Sequence, residues 1–257
     1  MITKISGFGV AVAMLLLFSH SANAQYANPS IPPRWEVGLS GGVLVYQGDL
    51  APLAGSYKMV SPEGTVSATR LLSPHWGLRT SLTIGELRGD DLKYGHDSYR
   101  KARALKFRTS VAEVAESVVW DVFGNNYDRT RNRIAPYLFI GIGYSFLGVH
   151  RDASRFDSVF FPPQSGVTEG LRADLAKEPP HGTVVMPIGA GLRYTISPAW
   201  SINGEANGRF AATDYLDGFS RVANNGKNDH YYSITLGVIY TFLGGGKELK
   251  CPPKLPQ

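Results

Sequence analysis

The chain reads as all-β: an eight-stranded antiparallel barrel of the outer-membrane type, with meander topology and a lumen filled by side chains. Three observations predict this. Apolar and polar residues alternate with period two in eight separate runs, as in "WSINGEANGRF" from Trp200 to Phe210. The connections between runs alternate between short and long. Lysine is kept out of the runs, where a water-facing sheet would carry it, except for Lys106 at a strand end. The 257 residues, 43% hydrophobic, are enough for one such domain and exclude a disordered polymer. The formal net charge is +5, yet the basic residues are scattered and form no stripe interleaved with aromatics, so no nucleic-acid partner is expected.

Residues 1–24 read as an export signal. Lys4 gives the positive end, "GFGVAVAMLLLF" the apolar stretch, and "ANA" a small-x-small site with cleavage expected between Ala24 and Gln25. That apolar stretch falls short of the ~20 residues a membrane helix needs. Residues 25–33, with "NPSIPP", form a short N-terminal periplasmic segment. The barrel is expected over residues 34–243. Its strands are Trp35–Gln47, Gly64–Leu71, Trp76–Leu87, Leu105–Trp120, Ile134–Leu147, Thr183–Ile196, Trp200–Phe210 and Tyr231–Phe242. "VAEVAESVVW" joins them as a strand because of its valines. No helix of useful length is expected. "LSPH" follows the second run, "SP" the sixth and "DVFGNNYDRTRNR" the fourth; the other four connections are long. Short turns on one end and long loops on the other fit a periplasmic and an extracellular face. An even strand number returns both termini to the periplasm, including the tail at residues 244–257, and places the protein in the outer membrane.

The polarity of the alternation follows from charge. The strands carry mainly Arg and Glu, and a basic group facing lipid near the midplane costs about 2–4 kcal/mol. Inside a narrow lumen the same groups pair. Arg79, Arg193, Glu205 and Arg209 are therefore expected inward, as an ion-paired plug. Rows such as Leu138, Ile140, Ile142, Tyr144 and Phe146 are expected outward against outer-membrane lipid, with aromatics near the row ends as an interfacial girdle. A soluble lipocalin-like barrel would bury these rows but put lysine on the other face. Eight strands leave a lumen just wide enough for side chains, which moves function to loops, turns or tail.

Chemistry-bearing motifs are sparse. "HRD" at His150 to Asp152 has no nucleotide loop or spaced Asn beside it, and "GAGL" at Gly189 to Leu192 is a lone GxG within a strand. The six histidines have no ligand spacing, so neither metal nor cofactor is expected. A barrel-borne hydrolase could draw a Ser/His pair from His150 and Ser154, two loop residues of common type. Cys251, the single cysteine, lies in the tail "GGGKELKCPPKLPQ"; in an exported protein it is either a free thiol or half of an intermolecular disulfide.

Three stretches together resemble one family. "GVLVYQGDL" (Gly42 to Leu50) is similar to its first-strand pattern G-x-x-x-Y-x-G-D-L. "NRIAPYLFIGIGYSFL" (Asn132 to Leu147) is similar to its fifth strand. "TDYLDGFS" (Thr213 to Ser220) resembles its loop signature "TDYLDDVS", with Gly218 in place of the second acidic residue. The family is the PorG-like outer-membrane barrel of the Bacteroidetes type IX secretion system. The resemblance implies a non-enzymatic machine component associated with a periplasmic ring of a lipoprotein and its partner protein. Asp214, Tyr215 and Asp217 would cap the end of strand seven by side-chain-to-backbone bonds, with Gly48 and Asp49 at the matching end of strand one.

The preferred function is accordingly anchoring and docking. Cys251 and the turns at Ser73–His75 and Asn125–Arg133 would engage the ring, and Arg129, Arg131 and Arg133 would meet acidic partner surface. The alternatives are a small-solute pore and a hydrolase of lipid or peptide.

Overall fold

Eight strands close into one antiparallel barrel in chain order. They are β1 Arg34–Gln47, β2 Val60–Leu71, β3 Trp76–Asp90, β4 Lys106–Asp121, β5 Ile134–Asp152, β6 Gly182–Thr195, β7 Trp200–Ala211 and β8 His230–Phe242. The structure is a computed structural model that describes residues 34–48, 50, 59–94, 98–129, 131–213, 215–222 and 229–242. The expected signal segment with Ala24 and Gln25, Asp49, Asp214 and the tail with Cys251 lie outside those residues.

Each strand alternates an inward and an outward row, and β1 closes on β8 from Trp35 opposite Phe242 to Gln47 opposite His230. Three strands outrun their expected ends by three residues or more: β2 begins at Val60, β3 continues to Asp90 and β5 to Asp152. Proline hid the first extension, since Pro62 reads as a breaker. In β2 it faces outward, opposite Val43, and the strand passes through it. Pro187 does interrupt a ladder. β5 and β6 pair at Ile140–Ile188 and again at Gly143–Val185, with the pairing lost between, where Pro187 has no N–H to give.

The two shortest connections are the same device. In "LSPHW" and "ISPAW" the serine oxygen accepts the tryptophan N–H three residues on, Ser73 from Trp76 at 3.0 Å and Ser197 from Trp200 at 3.1 Å. The outward rows are apolar through the middle, with Leu39, Val66, Leu82, Ile140 and Leu236 all exposed. Aromatics bound this belt. Trp76 and Trp120 stack at 6.3 Å and Trp200 meets Tyr240 at 4.9 Å at the short-turn end. Tyr144 and Phe146 meet at 5.0 Å toward the other end.

The long loops carry helices that the sequence reading did not anticipate: α1 Asp91–Tyr94, α2 Ser98–Arg103 and α3 Gly166–Ala176. α3 is the substantial one. Ser165 caps it by accepting the Thr168 N–H at 3.3 Å, and Thr168, Gly170, Leu171 and Asp174 form its buried face. Its two glycines and its valine weaken the helical signal, but Gly170 is required. A Cβ there would stand 2.7 Å from the Arg221 carbonyl oxygen.

Candidate functional site

The lumen is filled in layers. At the short-turn end Glu36 from β1 accepts from Arg193 of β6 at 3.1 Å, from Thr241 of β8 at 3.0 Å and from Arg129 of the β4–β5 connection. Arg129 also reaches Asp121 at 3.4 Å. Burial, with the neighbouring Arg193 charge, pushes Arg129 down to about 10, which leaves it a cation at neutral pH. Above this layer Arg79 donates to Glu205 at 2.7 Å, Tyr137 donates to the same carboxylate at 2.6 Å, and Asn203 donates to the Tyr137 hydroxyl at 3.1 Å. The Arg79 guanidinium lies over the Tyr137 and Phe139 rings at 5.4 and 5.3 Å. Higher still, Arg209 donates to Glu113 at 3.1 Å and to Ser233 at 2.8 Å, and sits 3.5 Å from Glu63. Tyr231 donates to Glu113 at 2.6 Å. A cavity of about 40 Å³ remains among these side chains, room for a few waters.

Toward the long-loop end the filling turns apolar. Leu44, Leu50, Leu87, Phe107, Leu216 and Phe219 form one buried cluster, built jointly by upper strand residues and by loops folded over the opening. Polar pins fix the loops. The Tyr46 hydroxyl lies 2.8 Å from Asp217 and 2.7 Å from Asp229. Thr109 donates to the Leu216 carbonyl at 2.6 Å. Asp174, at the end of α3, accepts the backbone N–H groups of Ser220, Arg221 and Val222 at 3.0 to 3.2 Å.

Against this geometry stand the comparisons. A family model described as Domain of unknown function (DUF6089) matches residues 10–244. The chain is a DUF6089 protein. No curated protein matches it. Among solved structures, the DUF6089 chain is similar to Ail, the attachment invasion locus protein of Yersinia pestis, in complex with the heparin analogue sucrose octasulfate. That match has 12% identity, covers 82% of this chain and 100% of that one, and has a TM-score of 0.44. Neisserial surface protein A matches at 13% identity over 81% and 97% of the two chains, with a TM-score of 0.45. OprG from Pseudomonas aeruginosa matches at 9% identity over 83% and 97%, with a TM-score of 0.41. At these identities and scores the likeness is one of barrel form alone.

In the DUF6089 barrel the residues singled out from the sequence are distributed unevenly. Arg79, Arg193, Glu205 and Arg209 all lie in the lumen network described above. Gly48 packs against Tyr46 and Asp229. Of the three residues expected to cap strand seven, Tyr215 and Asp217 are among the described residues and Asp214 is not. Asp217 is fully buried and bridges to Tyr46 across the barrel mouth, besides accepting the Phe219 N–H at 2.8 Å. The Tyr215 hydroxyl reaches Asp174 at 3.4 Å, and Lys177 lies 3.9 Å over its ring. Gly218 adopts φ +79°, a conformation that excludes most side chains, and Arg151 packs where a Cβ would go.

Two further expectations are revised. Arg129 does not offer its charge at the surface, because it is drawn into the lumen by Glu36; Arg131 and Arg133 stay exposed. His150 and Ser154 share no hydrogen bond among the described residues. His150 contacts the Gly148 carbonyl at 3.3 Å, and Ser154 donates to Asp152 at 2.7 Å. The partners missed from sequence were Glu36, Glu63, Glu113, Tyr46 and Asp174. The first three share the inward parity fixed by their apolar neighbours, a usable signal, although Glu63 fell before the expected start of its strand.

Proposed function

We propose that this DUF6089 chain is an outer-membrane barrel serving as a non-enzymatic, PorG-like component of the type IX secretion machinery, holding a periplasmic ring-forming lipoprotein and its associated components at the membrane. The observation that carries the reading is the joint packing of the stretches that bear the resemblance. Tyr46 of "GVLVYQGDL" is pinned to Asp217 of "TDYLDGFS", and Tyr137 of "NRIAPYLFIGIGYSFL" sits in the ion-paired lumen they cover. A barrel with a filled lumen offers partners its ends and its wall, and no passage.

In this reading the apolar belt lies in lipid and the short-turn end faces the periplasm. That end is stiff. Asn126 donates to the Ser73 carbonyl at 2.9 Å, which ties two turns together, and within the longer one the Asn125 N–H reaches Asp121 at 3.1 Å. It leaves Leu72 and Phe123 exposed, with Arg131 and Arg133 on the same connection as Phe123. Apolar and basic groups together suit a partner with an apolar surface and an acidic rim. Cys251 in the tail supplies a covalent bridge to the same partner.

The test is a crosslinked, non-reducing pull-down from native envelope with Cys251→Ser and Arg131→Glu/Arg133→Glu variants. The ring lipoprotein is expected with the unaltered chain, a reductant-sensitive heavy band is expected to vanish with Cys251→Ser, and recovery is expected to fall with the charge reversal. A pull-down from native envelope without the lipoprotein overturns the role.

A further inference from the structure

The barrel wall stands tallest where β3, β4 and β5 run together. β4 and β5 stay paired up to Lys106 opposite Asp152, and β3 follows to Asp90 opposite Lys106. On the outward face of this overhang one cross-strand row sets Arg88, Arg108 and His150 side by side, all exposed. The row lies four residues beyond Phe146 of the aromatic rim. That is about 13 Å of strand, and about 10 Å of height at ordinary barrel tilt, which is headgroup level.

Two guanidinium groups directly opposite on neighbouring strands repel. Glu86, one step down the outward row of β3, offsets this by accepting from the Nε of both Arg88 and Arg108. The side chains remain 46% and 63% exposed, and their Nη groups make no hydrogen bond among the described residues. Other rim carboxylates are engaged. Asp90 pairs with Arg155 at 3.3 Å, and Asp152 accepts from Ser154 at 2.7 Å. One carboxylate thus mounts two outward forks of donors, a geometry suited to phosphate oxygens. Below the row of Glu86, Ser110 and Gly148, the outward residues Leu82, Ile84, Val114, Ile142 and Phe146 form an apolar wall.

We infer that the Arg88–Arg108 pair binds the phosphate of an outer-leaflet lipid headgroup, whose acyl chains lie on the apolar wall beneath. A free phosphate would use the forks and gain nothing from the wall; a phosphorylated lipid uses both. The site rests on the proposed membrane insertion and orientation, and is independent of the secretion role.

The test inserts the mature chain into phosphatidylcholine nanodiscs doped with diphosphoryl lipid A and reads lipid retained on the ejected protein by native mass spectrometry. One lipid A per barrel is expected. Its occupancy should fall about tenfold in an Arg88→Gln/Arg108→Gln double variant and hold in Arg70→Gln, an exposed arginine of β2 at the opposite rim. Equal retention by the double variant, or of dephosphorylated lipid A by the unaltered chain, overturns the site. So does displacement of lipid A by millimolar inorganic phosphate, which would mark an anion site indifferent to lipid. The double variant's insertion and unfolding midpoint control for its fold. A chain that never enters the nanodisc sinks the membrane reading itself, whereas retention without arginine dependence in an inserted barrel sinks this site alone.

Discussion

Tyr46 and Glu116 show how single side chains are used on the two faces of the wall. The Tyr46 hydroxyl joins β1 to the loop carboxylates Asp217 and Asp229, all three buried. Tyr46→Phe removes the single hydroxyl proton that the two carboxylates share and is expected to cost about 1–3 kcal/mol, read as a lowered urea midpoint of the barrel in detergent; an unchanged midpoint would show the bond to be dispensable. Glu116 presents the opposite case. It lies on the outward row of β4, between Val114 and Val118, with Ile142 beside it, and the hydroxyl of Thr80 donates to it at 2.6 Å. In the proposed membrane orientation a carboxylate among these outward aliphatics is a standing cost. Glu116→Leu is therefore expected to raise stability in vesicles by roughly 1–2 kcal/mol, less than the cost of a basic group at that depth. A stability loss on that substitution would mean that the Thr80 bond outweighs desolvation.

At the scale of elements, strand and turn were legible and the loops were not. Alternation fixed all eight strands because one buried face leaves no freedom of register. Charge placed Arg79, Arg193, Glu205 and Arg209 on the inner row, where the structure also has them. The misses have common causes. Arg129 looked like a surface turn residue because its partner Glu36 is far away in sequence. α3 escaped because its stability comes from Asp174 and Gly170 meeting the 220–222 backbone, a tertiary contact that no local pattern reports. Gly218 read as a departure from an acidic signature, and only its φ of +79° explains it. The docking of α3 predicts its own failure. Asp174→Ala removes the acceptor for three N–H groups at once, so residues 220–222 should lose hydrogen-exchange protection while the strands of the inserted barrel keep theirs. Protection unchanged at those amides would mean that the apolar contacts of Phe219 and Val222 hold the loop alone.

The whole molecule is closed twice over, by two kinds of chemistry. Loops and apolar residues seal the long-loop end, and buried ion pairs fill the rest, with Arg129 from a turn completing the far end. Either closure suffices to block passage, so conductance separates them. The unaltered barrel is expected to carry no steady current in a planar bilayer. A variant with residues 154–180 and 213–228 replaced by short linkers loses the apolar cap, yet the layers around Glu36, Glu205 and Glu113 remain, each pinned by an arginine from another strand. Removing one member of such a buried pair costs about 3–5 kcal/mol, so these layers do not swing aside at thermal energies. The loop-deleted barrel should stay silent too. Current should arise only when all three layers are hollowed as well, by Arg79→Ser/Glu205→Ser, by Arg209→Ser/Glu113→Ser/Glu63→Ser and by Glu36→Ser/Arg193→Ser/Arg129→Ser, each set removing cations and carboxylates together. Steady current from the loop deletion alone would show that the cap is the single gate and that the ionic layers move.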